Sequence, residues 1–97
     1  MKMFVIVRKD IPKIHQAVQA GHALAEYLLY GPSSSWTNGT LIYLGVKGVN
    51  QLENLKYKFE RDGISYMEFR EPDLDNQITS LATDRDNIHV KKLNLLA

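Results

Sequence analysis

The chain is expected to form a single α/β domain spanning residues 1–97, a mixed sheet of four to five strands with helices packed on it, in the order β-α-β-α-β-β. Three observations predict this. Apolar runs rich in β-branched residues alternate with segments of helical periodicity, the pattern of crossover units. The length, 97 residues, suits one domain with one modest core. Hydrophobic residues at 44% and charged residues at 24% give an ordinary globular balance rather than that of a disordered chain.

Met3 to Val7 is a continuous apolar run, as expected of a strand buried on both faces. Asp10-Ile11-Pro12 breaks it, with Asp10 a candidate helix cap and Pro12 suited to a first helical turn. A helix follows from Pro12 to about Tyr30. Its expected buried face is Ile14, Ala17, Val18, Gly21, Leu24, Ala25 and Leu28, which recur at helical spacing. Gly31-Pro32 stops it. A loop from Ser33 to Gly39 contains Trp36. Thr40 to Val46 is the second apolar strand. Asn50, with Glu53 three residues later, marks a second helix, with Val49, Leu52, Leu55 and Phe59 inward and Asp62-Gly63 at its end. Ile64 to Phe69 and Gln77 to Thr83 are the third and fourth strands, joined by an acidic loop from Arg70 to Asn76. Ile88 to Leu96 is expected to be a short extended tail able to add an edge strand.

Composition removes several functions. A formal net charge of +1 lacks the basic excess of a dedicated nucleic-acid coat, although a local basic patch remains compatible with it. The absence of cysteine excludes disulfides, thiolate metal sites and a cysteine nucleophile. The apolar run at the start ends at Arg8-Lys9-Asp10, too short for a signal peptide. No stretch approaches the ~18 apolar residues of a membrane span. A cytoplasmic setting is expected.

Chemistry concentrates on the first helix. His15, Gln19, His22 and Glu26 are spaced by four, three and four residues, so they share a narrow band beside the apolar face. Histidine exchanges protons near neutrality, and glutamine both donates and accepts hydrogen bonds. Two histidines without a third ligand make a poor metal site, so none is expected.

These residues also carry a resemblance. Arg8-Lys9-Asp10-Ile11 after a buried strand, then Ala17-x-Gln19-x-Gly21-His22-Ala23 on the next helix, resembles the type II peptidyl-tRNA hydrolase family. Trp36 and Gly39 before the second strand, Gln77-Ile78, and a tail ending Lys92-Leu93-Asn94-Leu95-Leu96 are similar as well, in the same element order. The resemblance implies hydrolysis of the ester between a peptide, or an N-blocked aminoacyl group, and tRNA, releasing free tRNA. It implies no metal or other cofactor, a substrate approached by its acceptor end, and a possible homodimer. The chain departs from the family pattern at three places, one of them the loop before the first helix, which is about two residues shorter than usual. His15 stands where the family carries a lysine, with Lys13 two residues earlier. Glu71-Pro72-Asp73-Leu74-Asp75-Asn76-Gln77 stands where the family reads roughly Asp-Ala-Gly-Arg-Thr-Gln.

On that footing His22, Gln19, Asp10 and His15 are the catalytic candidates. His22 would activate water or orient a partner, and Asp10 would orient a histidine or hold the water. Lys13, Arg8 and Lys9 would meet tRNA phosphates. Asn76 and Gln77, with Gln19, would donate hydrogen bonds to the carbonyl or the terminal ribose. Two other readings stay open: a catalytically inactive relative that binds RNA or a protein, and an interaction protein whose own surface is its function.

Overall fold

The computed structural model describes residues 1–97. Its elements are β1 (Lys2–Arg8), α1 (Lys13–Tyr30), β2 (Thr40–Val46), α2 (Val49–Arg61), β3 (Met67–Glu71), a 3-10 turn at Pro72–Leu74, β4 (Gln77–Thr83), α3 (Ile88–Lys91) and β5 (Asn94–Leu95). The sheet runs β3-β4-β1-β2-β5. Its centre is parallel, with Phe4 opposite Ile42 in the β1–β2 pair. β4 joins β1 antiparallel, with Ile6 opposite Leu81. β3 and β5 are antiparallel edges.

Strand geometry alternates side chains between two faces, and β1 shows the division. Phe4 and Ile6 enter a cluster with Leu52, Leu55 and Phe59 of α2, Leu44 and Val46 of β2, and Val90 of α3. Met3, Val5 and Val7 enter a second cluster with Ala20, Ala23 and Tyr27 of α1. The result is three layers, with α1 on one face of the sheet and α2 on the other. Buried in this way on both faces, β1 needs the unbroken apolar run that marks it in the sequence.

The buried face of α1 differs from the expected one. Ile14 is 71% exposed, Val18 48% and Leu28 52%, whereas Gln16, Gln19, Ala20, Ala23 and Tyr27 are buried. Small residues let the helix lie close to the sheet. The two glutamines are tolerated there because they are hydrogen-bonded, the condition for burying an amide. Gln16 Nε2 donates to Ile11 O at 2.8 Å. Gly31 ends the helix, its N–H donating to Tyr27 O.

Three further expectations are corrected. Asp10 does not cap α1, which begins after Pro12 with no side-chain cap; its carboxylate is held by Arg8 instead. The third strand begins later than Ile64 and runs to Glu71, because Gly63 at φ 69° and the bond from Ile64 N–H to Phe59 O at 2.8 Å close α2 first. The tail is not extended throughout. Asn87 Oδ1 accepts from the N–H groups of His89 and Val90 and so starts α3. Only Asn94–Leu95 adds to the sheet edge, beside Leu44 and Gly45. His89 anchors α3 to α2, with Nε2 2.6 Å from Asp62 Oδ2.

Candidate active site

Two irregularities build the site. The first lies between β3 and β4. Phe69 pairs with Ser80, yet Arg70 pairs with Ile78, so Thr79 is an extra residue on β4. Such a bulge re-aims side chains, and here both Thr79 and Ser80 bond to one residue of α1. Thr79 Oγ1 donates to Gln19 Oε1 at 2.7 Å, and Ser80 Oγ donates to Gln19 O at 2.7 Å. The second irregularity is the turn after β3. Glu71 caps the 3-10 helix, accepting from Asp73 N, and Asp75 and Asn76 take left-handed φ of 54° and 59°. Asparagine and aspartate are the non-glycine residues that accept this conformation most readily.

Together they hold an oriented carboxylate. Gln19 is only 4% exposed, and its amide is spent at both ends. Its oxygen accepts from Thr79, which forces its nitrogen toward Glu71 Oε1, 2.9 Å away. Glu71 therefore stands at the wall of a cleft of about 490 Å³ between α1 and the turn after β3. Ile11, His15, Val18, Gln19, Glu71, Asp73 and Leu74 line it.

The sequence candidates separate into three groups. Gln19 and His15 meet at this cleft. His22 does not line it. Its exposed ring stacks on Phe69, with centroids 4.2 Å apart and planes 7° from parallel. Arg8, Asp10 and Gln77 form a second network at the ends of β1 and β4. Arg8 is 7% exposed. Its guanidinium grips Asp10 through two bonds of 2.6 and 2.8 Å and donates to Gln77 Oε1 at 2.8 Å and to Ile78 O at 3.3 Å. Hydrogen bonds from Arg8 hold the Asp10 carboxyl below its ordinary value, against a smaller opposing effect of burial. Arg8 is thus committed to the fold and has little left for a tRNA phosphate. Asn76, exposed, closes its turn by donating its N–H to Glu71 O at 3.0 Å. Lys9 and Lys13 are exposed.

Glu71 and Thr79 are the residues that sequence reasoning missed. Glu71 sits within the acidic loop singled out in the sequence, but only its hydrogen bond to Gln19 distinguishes it from Asp73 and Asp75. Thr79 is one of several polar residues in β4, and the bulge that aims it leaves no local signature.

Fold and site define a class: a three-layer α/β domain with a polar cleft where a helix crosses the turn leaving an edge strand. Among solved structures, the chain is similar to a protein of unknown function, Atu0240, from Agrobacterium tumefaciens strain C58. The two match with a TM-score of 0.73 at 12% identity, over 99% of this chain and 97% of that one. That likeness is one of fold. No family model matches the chain, and no curated protein matches it.

Proposed function

We propose that the chain hydrolyses the ester joining a peptide or N-blocked aminoacyl group to the 3′ end of tRNA. The observation that carries this reading is the Thr79–Gln19–Glu71 chain of hydrogen bonds. It fixes a carboxylate and a histidine-bearing helix face across one open cleft, and Gln19 is the residue on which the resemblance to peptidyl-tRNA hydrolases centres.

Ester hydrolysis requires a proton acceptor for water and a donor for the departing oxygen. Glu71 would take one proton as the water oxygen bonds to the carbonyl carbon. His15, starting protonated, would give its proton to the ribose oxygen as the C–O bond breaks, and Glu71 would release its proton to solvent as His15 takes one up. The products are a carboxylic acid and the free 3′ hydroxyl. Gln19 is a positioning residue, since both ends of its amide are occupied. His22, stacked on Phe69, would extend an apolar platform outside the cleft rather than act on water.

The test is release of the acyl group from an N-blocked aminoacyl-tRNA by the wild type, Glu71→Gln and His15→Ala. Turnover is expected to fall at least about 100-fold in Glu71→Gln, the scale of general-base catalysis, with the folded state retained. Equal turnover in wild type and Glu71→Gln would refute the assignment. Absence of turnover in a wild type that still binds the RNA would leave a binding module.

A further inference from the structure

On the opposite side of the β1–α1 turn from the cleft lies a pocket of about 350 Å³ that the proposed chemistry does not use. Lys9, Lys47 and Lys92 line it, with Gln51 and Asn94 and the backbone of Gly45 to Val46. No acidic side chain lines it, and none of the three lysines belongs to an ion pair. By contrast Lys56 and Lys91, outside the pocket, each face a carboxylate.

The pocket has a built feature. Lys9 is pinned through its backbone, its N–H donating to Val46 O at 2.8 Å and its carbonyl accepting from Gln16 Nε2 at 3.3 Å. Its aliphatic stem then lies across Gly45, and a Cβ there would stand 2.7 Å from Lys9 Cδ. The missing side chain at position 45 is what allows the stem to cross β2. The N-terminus of α2 is not part of the pocket's attraction, because the Asp10 carboxylate, held by Arg8, lies against Gly48 just before that helix. Three unpaired ammonium groups and two amides spread around one open pocket suit successive phosphate groups on a chain, each met by a lysine as a point charge that demands no single orientation.

We propose that this pocket holds RNA backbone phosphates and that the RNA crosses the turn from here to the cleft. Lys9 lines the pocket and Ile11 lines the cleft, and two residues span at most about 7 Å of chain. One strand can therefore touch both. The path rests on the proposed hydrolase reading, whereas the phosphate pocket does not.

Fluorescence anisotropy of uncharged tRNA tests it, with a Lys9→Gln/Lys47→Gln/Lys92→Gln variant, Gly45→Ala, and Lys2→Gln at the far end of β1 as control. All three pocket lysines are exposed, so the triple variant is expected to fold. Its plot of log affinity against log salt should be shallower than wild type by about 2–3, with Gly45→Ala weakened less and Lys2→Gln unchanged. Turnover of an N-acyl-aminoacyl adenosine, which carries the ester but no phosphate, should be the same in triple variant and wild type. Undiminished tRNA binding in the triple variant, with or without hydrolysis, would overturn the pocket. So would loss of binding to phosphatidylserine vesicles with tRNA binding intact. Lysine-dependent tRNA binding by a protein that does not hydrolyse would keep the pocket and reject the hydrolase.

Discussion

Replacing Thr79 by valine removes one hydroxyl from the polar chain behind the cleft while keeping the side chain's branched shape. Thr79 is fully buried and Gln19 is 4% exposed, so water cannot substitute for the lost 2.7 Å bond to Gln19 Oε1. A buried acceptor left without its partner costs about 1–3 kcal/mol. In a domain of this size that lowers the thermal midpoint by roughly 5–20 °C. Gln19→Leu removes the other partner, so the double variant leaves neither group stranded at this contact. Its loss of stability should be smaller than the sum of the two single losses by about 0.5–3 kcal/mol, the coupling typical of touching residues. Urea denaturation of the four proteins measures the cycle. If Gln19 positions Glu71, the valine variant should also lose roughly 10–100-fold in kcat, the scale of a misplaced reacting group. Additive losses, within about 0.5 kcal/mol, would refute the coupling, and unchanged kcat would remove Gln19 from any positioning role.

Two further outcomes are expected. Ile14→Gln and Leu28→Lys, at exposed apolar positions of α1, should change stability by no more than about 0.5 kcal/mol, whereas Ala23→Leu, fully buried against the sheet, should cost about 1–3 kcal/mol; urea midpoints that rank the other way would reverse the assigned helix face. Asp84 is 5% exposed. Burial pushes its carboxyl upward, but hydrogen bonds from Ser34 and Tyr27 and the charge of Arg85 outweigh that and hold it below its ordinary value. Its stabilisation is therefore fully present above the unfolded value near pH 4 and is lost as pH falls through the lower folded value. Stability of Asp84→Asn measured from pH 6 to pH 2 should fall less steeply than wild type below pH 4, and parallel curves would contradict the depressed value.

What the sequence disclosed followed its chemistry. β1 was legible because a strand buried on two faces leaves little room for polar interruptions, and β4 was expected at Gln77 to Thr83, where it lies, with Thr79, Ser80 and Thr83 buried in it by virtue of their own hydrogen bonds. The inward residues of α2 were also legible, since Leu52, Leu55 and Phe59 are large and apolar. The inward face of α1 was not. Hydrophobic periodicity rewards bulk, but close approach to a sheet selects Ala20 and Ala23, and the polar network admits Gln16 and Gln19. The site divided in the same way. Gln19 and His15 stood out as functional types on one helix, whereas Glu71 and Thr79 join them only through a bulge and a turn that create contacts across 52 and 60 residues of sequence.

The place of β1 has a consequence for how the chain is made. It is synthesised before both strands that flank it in the middle of the sheet, β2 on one side and β4 on the other. Val7 meets Ser80 only after β4 has emerged. At roughly 5–20 residues per second, Met3 to Val7 waits about 2–8 s for its partner β2 and longer for β4, with one or both edges open, as an apolar segment of the kind that associates with its own copies. Synthesis rate and chaperone access over that interval, rather than the stability of the finished domain, would govern the yield of folded protein.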